Sequence, residues 1–367
     1  MILNLVLSTL ILAFMLGFGH RLSNRGNRDL VAVQSSHKRA TARFGGVAII
    51  FGISSIFFTE LWTDISILIL ISGAPIFVAG LLEDISGRVS PRYRLLAAFG
   101  SAALAVLLTG EYIVAGDFWL LDRIFIYPVI AIPITLLISS GIANSFNIID
   151  GVNGFSAGIA LIIAAVLGYI CQLYNEKALS YFCLMIAIAI IPFLIANFPF
   201  GFIFLGDAGA YTLGHLLSWI AIVLVSRHPE ISSWAMLLLF FWPASEVLLS
   251  IYRRLMSRKP SGAPDSFHFH QLIMQLLQFK SDNINGAINW ANPLSTMILM
   301  PFAVIPIIIS FFVIQSNSIA ISIYFTLAAS YLGLYILLVK IVRKIASDLG
   351  YREVSDRLSN VFTPIKK

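Results

Sequence analysis

Stretches of about twenty apolar residues follow one another from the start of this chain to beyond residue 340, broken only by short polar loops. A helix needs roughly 20 such residues to cross a bilayer, and in hydrocarbon only helices and closed barrels satisfy their own backbone. Each run is therefore read as a membrane-crossing helix. Of the 367 residues 59% are hydrophobic and 11% charged, against about 25% charged in soluble domains. The expectation is an all-α, polytopic integral membrane protein, with residues 1–342 as one multi-span domain and 343–367 as a basic tail.

Eleven spans are expected, near 2–18, 45–61, 65–82, 95–109, 124–142, 155–173, 179–196, 209–225, 234–252, 293–314 and 319–341. The stretch 111–123, "EYIVAGDFWLLDR", is too polar to cross and is placed in the interface. If the loops at 20–44, 83–94, 144–154, 197–208 and 253–292 share one face with the tail, that face holds 21 of the 24 Lys and Arg. Arg123, Lys177 and Arg227 are left for the other face. Basic loops stay in the cytoplasm, so the amino terminus is expected outside and the carboxyl terminus inside. A cleaved signal carries its positive charge first. Here Arg21, Arg25 and Arg28 follow the first apolar run, which is read as a retained helix. Cys171 and Cys183 fall within or at the ends of spans and are read as small buried hydrophobes.

Five loops carry more chemistry than a connection needs: "SSHKRATARFGG" (35–46), "GLLEDISGRVSPRYR" (80–94), "NSFNIIDGVNGF" (144–155), "NFPFGFIFLGDAGAY" (197–211) and "RRLMSRKPSGAPDSFHFHQ" (253–271). Two spans separate each from the next, so all five fall on one face. The carboxylates Glu83, Asp84, Asp150 and Asp207 lie at helix ends, where an unpaired charge needs a cation or water. Few hard oxygen ligands favour Mg²⁺ bridging to phosphate, with Mn²⁺ as an alternative. Arg39, Arg43, Arg88, Arg92, Arg253 and Arg254 match phosphate geometry, and Gly151, Gly154, Gly206 and Gly209 allow close backbone approach. This inventory suits phosphoryl transfer, which rests on positioning and charge neutralisation.

Plain structural alternatives stand beside each of these. Glu83 and Asp84 suit a helix cap, Asp207 a glycine turn, His268 and His270 an ordinary loop, and Glu246 a hydrogen bond to a neighbouring helix. Asp150 is the hardest to assign to packing. It is the only charged residue between Ile124 and Asn175, and Asn144, Asn147 and Asn153 surround it.

These motifs resemble the bacterial polyprenyl-phosphate N-acetylhexosamine-1-phosphate transferases, relatives of the muramyl-pentapeptide translocase, over about residues 1–340. "NSFNIIDGVNGF" looks like the family's Asn-rich DG motif and "FLGDAGAY" like its GD-x-G motif. "SSHKRATARFGG" is similar to its first cytoplasmic loop, "GLLEDISGRVSPR" to its paired-acid loop and "DSFHFHQL" to the histidine motif of the sugar-phosphate branch.

The resemblance implies attack of undecaprenyl phosphate on a UDP-N-acetyl sugar with Mg²⁺, yielding UMP. It implies a bacterial inner membrane, a cytoplasmic site and a lipopolysaccharide or similar pathway; nucleic acid has no part, and a homodimer is allowed. By the same resemblance Asp207 holds the metal. Asp84, with Glu83, orients or deprotonates the lipid phosphate and helps hold the metal. Asn147 and Asp150, flanked by Asn144 and Asn153, meet the nucleotide diphosphate or support the metal shell. His268, His270, Arg253 and Arg254 meet the diphosphate or sugar, and His37, Lys38, Arg39 and Arg43 gather phosphate charge. Departures from the family pattern are Glu83 for Asp, Phe202 for Lys, Ala42 for Pro, and Gln271 for a third His, the last pointing away from a muramyl-pentapeptide substrate. The competing readings are a transporter with a cytoplasmic vestibule and a non-catalytic member of the same fold.

Overall fold

The computed structural model describes residues 1–22, 41–58, 64–257, 267–281 and 290–351, together with 354, 355 and 358. No strand occurs among them, and fifteen α-helices follow in order. They are α1 (Ile2–Leu22), α2 (Gly45–Ile53), α3 (Asp64–Ser72), α4 (Ala74–Ser86), α5 (Pro91–Thr109), α6 (Trp119–Phe125), α7 (Pro128–Ile149) and α8 (Phe155–Leu173). Then come α9 (Lys177–Asn197), α10 (Gly206–Arg227), α11 (Ser233–Leu239), α12 (Phe241–Ser257), α13 (Phe269–Ser281), α14 (Ala291–Phe312) and α15 (Asn317–Asp348). A 3-10 turn, Ser54–Phe58, extends α2. The chain is an all-helical polytopic membrane protein.

Among the described residues eight helical segments are long and apolar enough to cross a membrane, or nine if one bent pair counts as a span. The expected spans at 2–18 and 45–61 correspond to shorter apolar stretches, Ile2–Phe18 and Gly45–Phe58. The expected span 234–252 is not one straight helix, because α11 and α12 meet at 84°. Pro243 explains the break: it lacks an N–H, and its ring would clash with the carbonyl four residues back in a continuous helix. Pro75 likewise separates α3 from α4, although Ile65–Ser86 together form one candidate span.

Several helices run further into the polar motifs than the apolar pattern implied. α7 continues to Ile149, so Asn144 and Asn147 lie on a helix, three residues apart on one face. α5 starts at Pro91, behind Ser90 at its N-cap, which places Arg92 and Arg94 at its beginning. α10 starts at Gly206, putting Asp207 in its first turn. The stretch read as the long loop 253–292 contains α13. The tail expected to begin at 343 starts as the end of α15.

α10 is the axis of the bundle, with every residue from Gly206 to Val225 buried. α2, α4, α7 and α8 pack around it, and α8 and α9 form a hairpin beside it. Lipid tails are as apolar as leucine, so such helices associate through close packing and hydrogen bonds. A Cβ on Gly80 would come 2.6 Å from the Cα of Ala208, and one on Gly214 would come 2.8 Å from the Cα of Ala143. Gly46 meets Gly209 backbone to backbone. Ser72 Oγ lies 2.9 Å from His215 Nε2, and Ser139 Oγ lies 3.2 Å from Ser218 Oγ. Small residues and polar pairs thus fix α4 and α7 antiparallel to α10, bringing their carboxyl ends to its amino end.

Candidate active site

The first turn of α10 organises the site. Its initial N–H groups have no partners within the helix, and Asp84, at the end of α4, supplies them. One Asp84 oxygen accepts the Asp207 N–H and the other the Ala208 N–H, both at 2.9 Å. Asp84 is completely buried, so these bonds also stabilise its charge. Gly206 precedes them with φ +78, and a Cβ there would lie 2.6 Å from Asp84 Oδ2. Glu83 is engaged differently. Its Oε2 accepts the Val89 N–H at 2.7 Å and closes the turn from α4 to α5.

Asp207 itself is met from two sides. Asn147 on α7 donates to its Oδ1 at 3.0 Å, and Arg94 on α5 donates to its Oδ2. One turn along α10, Tyr211 donates its hydroxyl to Asn144 Oδ1 at 3.1 Å. The pairs Asn144–Tyr211 and Asn147–Asp207 are two rungs between antiparallel helices. Segment 42–46 runs alongside: the Phe204 N–H donates to the Ala42 carbonyl, while the Gly45 and Gly46 N–H groups donate to the carbonyls of Phe204 and Leu205. Arg43 is held there, close enough to act electrostatically on Asp150.

Asp150 caps the end of α7. Part of its surface is open, but protein surrounds it densely. Burial pushes its carboxyl well above the ordinary carboxylate range, Asp207 and Asp84 add to the shift, and Arg43 opposes it. A Cβ on the neighbouring Gly151 would collide with the imidazole of His270. That glycine lets the histidine motif reach the DG turn. His268 and His270 stack at 5.7 Å with their planes 5° apart. Glu246, fully buried on α12, lies 3.1 Å from His268 Nδ1 and accepts the Phe269 N–H at 3.1 Å. Its other oxygen is 3.9 Å from His270 Nδ1. Arg253 donates to the Tyr335 hydroxyl at 3.2 Å, and that hydroxyl donates to the Phe267 carbonyl. Arg254 is half-buried in the last turn of α12.

Asn153 has a different setting from its neighbours. Its N–H donates to Asn292 Oδ1, its amide to the Pro199 carbonyl, and its carbonyl accepts from Thr296. It pins the turn to α14 and to the 198–204 loop. Asn197, absent from the sequence-based candidates, does similar work by accepting the Gly154 N–H at 2.6 Å. Phe202 is 62% exposed and lies against Phe200, and Gln271 Oε1 accepts the His268 N–H at the start of α13. His37, Lys38 and Arg39 lie outside the described residues. Sequence reasoning also missed Arg94 as a partner of Asp207 and set Glu246 aside. An acid in an apolar helix 22 residues before a histidine pair was the available signal for the second.

The arrangement concentrates carboxylates at the positive end of a buried helix, where anionic groups are favoured. Among the described residues no group of three or more His, Cys, Asp or Glu is placed to hold a metal ion. Oxygen remains available on Asp207: a carboxylate offers about four lone-pair positions, and the bonds from Asn147 and Arg94 use two of them. A divalent ion with few protein ligands, completed by water and phosphate, suits that donor set.

Residues 66–225 match the pattern of glycosyl transferase family 4, a stretch that includes Glu83, Asp84, Arg94, Asn147, Asp150 and Asp207. The "Probable undecaprenyl-phosphate N-acetylglucosaminyl 1-phosphate transferase" of Bacillus subtilis (strain 168) is 26% identical over 252 residues, covering 68% of this chain and 70% of the relative. The "Undecaprenyl-phosphate alpha-N-acetylglucosaminyl 1-phosphate transferase" of Thermotoga maritima is 30% identical over 241 residues, covering 65% of this chain and 70% of the relative. The Escherichia coli (strain K12) protein of the same name is 30% identical over 138 residues, covering 36% of this chain and 37% of the relative. With motif order, helical architecture and these similarities in agreement, the chain belongs to glycosyl transferase family 4.

Proposed function

We propose that this protein transfers an N-acetylhexosamine 1-phosphate from a UDP-sugar to undecaprenyl phosphate. The products are undecaprenyl-diphospho-sugar and UMP, and the step begins a cell-surface polysaccharide such as O-antigen at the cytoplasmic face of a bacterial inner membrane. One observation carries the reading: Asp84, Arg94 and Asn147 converge on Asp207 at one end of a membrane bundle. The names of the relatives support the substrate class. An acceptor with its phosphate at headgroup depth and a donor from the aqueous phase can meet at such an end.

In the reaction an oxygen of the lipid phosphate bonds to the donor's β-phosphorus while the bond from that phosphorus to the bridging oxygen of UMP breaks. UMP leaves with the electron pair. Asp207, backed by Asp84, would hold Mg²⁺, which when bound neutralises phosphate charge and helps align the two reactants. Asn147 keeps the Asp207 carboxylate in one orientation. Asp84 holds the first turn of α10 against α4, so Asp207 cannot swing away. Asp150 and the His268–His270 pair meet at the DG turn and would face the diphosphate and sugar. Glu246 would fix the histidine rings, a positioning role. Arg43, with His37, Lys38 and Arg39, would draw phosphate to the site, and Arg253 and Arg254 extend the basic rim. Gln271, standing where the muramyl-pentapeptide branch has a third His, leaves a simpler donor such as UDP-N-acetylglucosamine or a deoxy analogue as the expected substrate.

The test is direct. Purified protein in detergent receives undecaprenyl phosphate, Mg²⁺ and a panel of UDP-N-acetyl sugars, and UMP release is followed. Lipid-dependent release with at least one donor is expected, and Asp207→Ala is expected to abolish it. Release that survives Asp207→Ala removes the metal assignment. No release with any donor puts the non-catalytic reading first.

A further inference from the structure

Arg94 does not sit where helix chemistry would put a cation. It lies at the amino-terminal end of α5, the positive end of that helix's dipole. Its guanidinium is held by Asp207, and the pair is almost out of water, with side chains 13% and 5% exposed. One end of the fork, Nη1, engages Oδ2, while Nε is buried without a hydrogen-bond partner. A guanidinium that served only to neutralise a carboxylate would be expected to bind it through two parallel bonds. Here part of its donor capacity is idle beside a phosphate-type site.

The charge pattern around the pair gives the contact its meaning. Four carboxylates, Glu83, Asp84, Asp150 and Asp207, gather at this end of the bundle, facing Arg43 and Arg94 among the described residues. Asn147 holds the other oxygen of Asp207 but is neutral. Arg94 is thus the direct cationic partner of the most central acid. A buried carboxylate stripped of its cation is strongly destabilised, so Asp207 needs one in every state of the protein. A divalent ion and a guanidinium within a few ångströms of the same carboxylate repel each other.

We propose that Arg94 is a resident cation that occupies Asp207 when no metal ion is present and competes with the divalent ion for that carboxylate. When metal binds, Arg94 is released from Asp207 and its full fork becomes available to a phosphate. Site assembly then becomes an exchange: the ion takes over Asp207 as the guanidinium turns toward the incoming anion. The inference rests on the reading above only in taking Asp207 as the residue that meets the metal.

The experiment needs no turnover. Mn²⁺ binding to the purified full chain, without nucleotide or lipid, is measured by the loss of free-ion signal in electron paramagnetic resonance. Arg94→Gln is expected to bind Mn²⁺ about tenfold more tightly than the natural protein, the equilibrium counterpart of one lost charge-assisted hydrogen bond. Asp207→Asn is expected to bind it at least about tenfold more weakly by the same scale. Equal or weaker binding by Arg94→Gln, with Asp207→Asn weakened, overturns the competition but leaves the metal assignment standing. Unweakened binding by Asp207→Asn overturns that assignment and the competition with it. A second measurement uses the natural protein alone and so survives a variant that fails to fold. Modification of Arg94 by phenylglyoxal, followed by mass spectrometry, should speed up as Mn²⁺ is added, over the concentration range in which Mn²⁺ binds. An unchanged rate at saturating Mn²⁺ overturns the proposal.

Discussion

At Asp84 the same two oxygens that would stand behind a metal ion also close the first turn of α10. Asp84→Asn replaces one acceptor with an amide donor facing a backbone N–H. The change should cost about 1–3 kcal/mol and lower the thermal midpoint in detergent as well as turnover; an unchanged midpoint would show that the cap carries no weight. Gly151 offers the opposite test, of geometry without stability. Its surface is exposed, yet a Cβ would press on His270. Gly151→Ala should lower turnover about 10- to 100-fold, the scale of a displacement of an ångström or so, with the midpoint unchanged; full activity would place His270 outside the reaction. Legibility at this scale followed isolation. Asp150 stood out because no packing role accounts for it, whereas Arg94 acquires meaning only from a partner distant in sequence. Arg94 is separated from Asp207 by 113 residues, a pairing no local pattern announces.

Helix ends were less legible than helix existence, for a physical reason. Apolar runs mark where a chain meets hydrocarbon, but backbone hydrogen bonds continue wherever φ and ψ allow. So α7 carries its asparagines as helix, α10 begins at Gly206, and α13 forms inside a segment read as loop. The bend between α11 and α12 has its signal in Pro243, which the apolar run around it, long enough for one span, conceals. Between α4 and α10 the controlling feature is Gly80, whose missing Cβ would come 2.6 Å from the Ala208 Cα. Gly80→Ala should force the helices apart, cost about 1–3 kcal/mol as overpacking does, and reduce activity by loosening Asp84 from the Asp207 N–H. A variant with natural midpoint and natural activity would mean that this crossing yields easily.

For the molecule as a whole, composition sufficed to place it in a membrane, and charge bias gave an orientation that labelling can check. Arg88 is exposed at the end that carries Asp207, and Glu230 is half exposed just beyond the opposite end of α10. Cys171 and Cys183 are buried, so introduced cysteines should react over a low background. In intact cells a membrane-impermeant maleimide should label Glu230→Cys, and Arg88→Cys only after permeabilisation; the reverse pattern would invert the bundle. The number of crossings was harder to read, because short helices and a bent pair occupy apolar sequence without being straight spans. The site itself required three dimensions, since segment 42–46, Asp84, Arg94 and Asn147 meet at the start of α10, and the histidine motif joins them through Gly151. That helix is enclosed by protein over residues 206–225. Variation in acyl-chain length therefore acts first on peripheral elements such as α1 and α15, which tilt to relieve hydrophobic mismatch, while α10 and the candidate site at its start keep their setting whatever the thickness of the host bilayer.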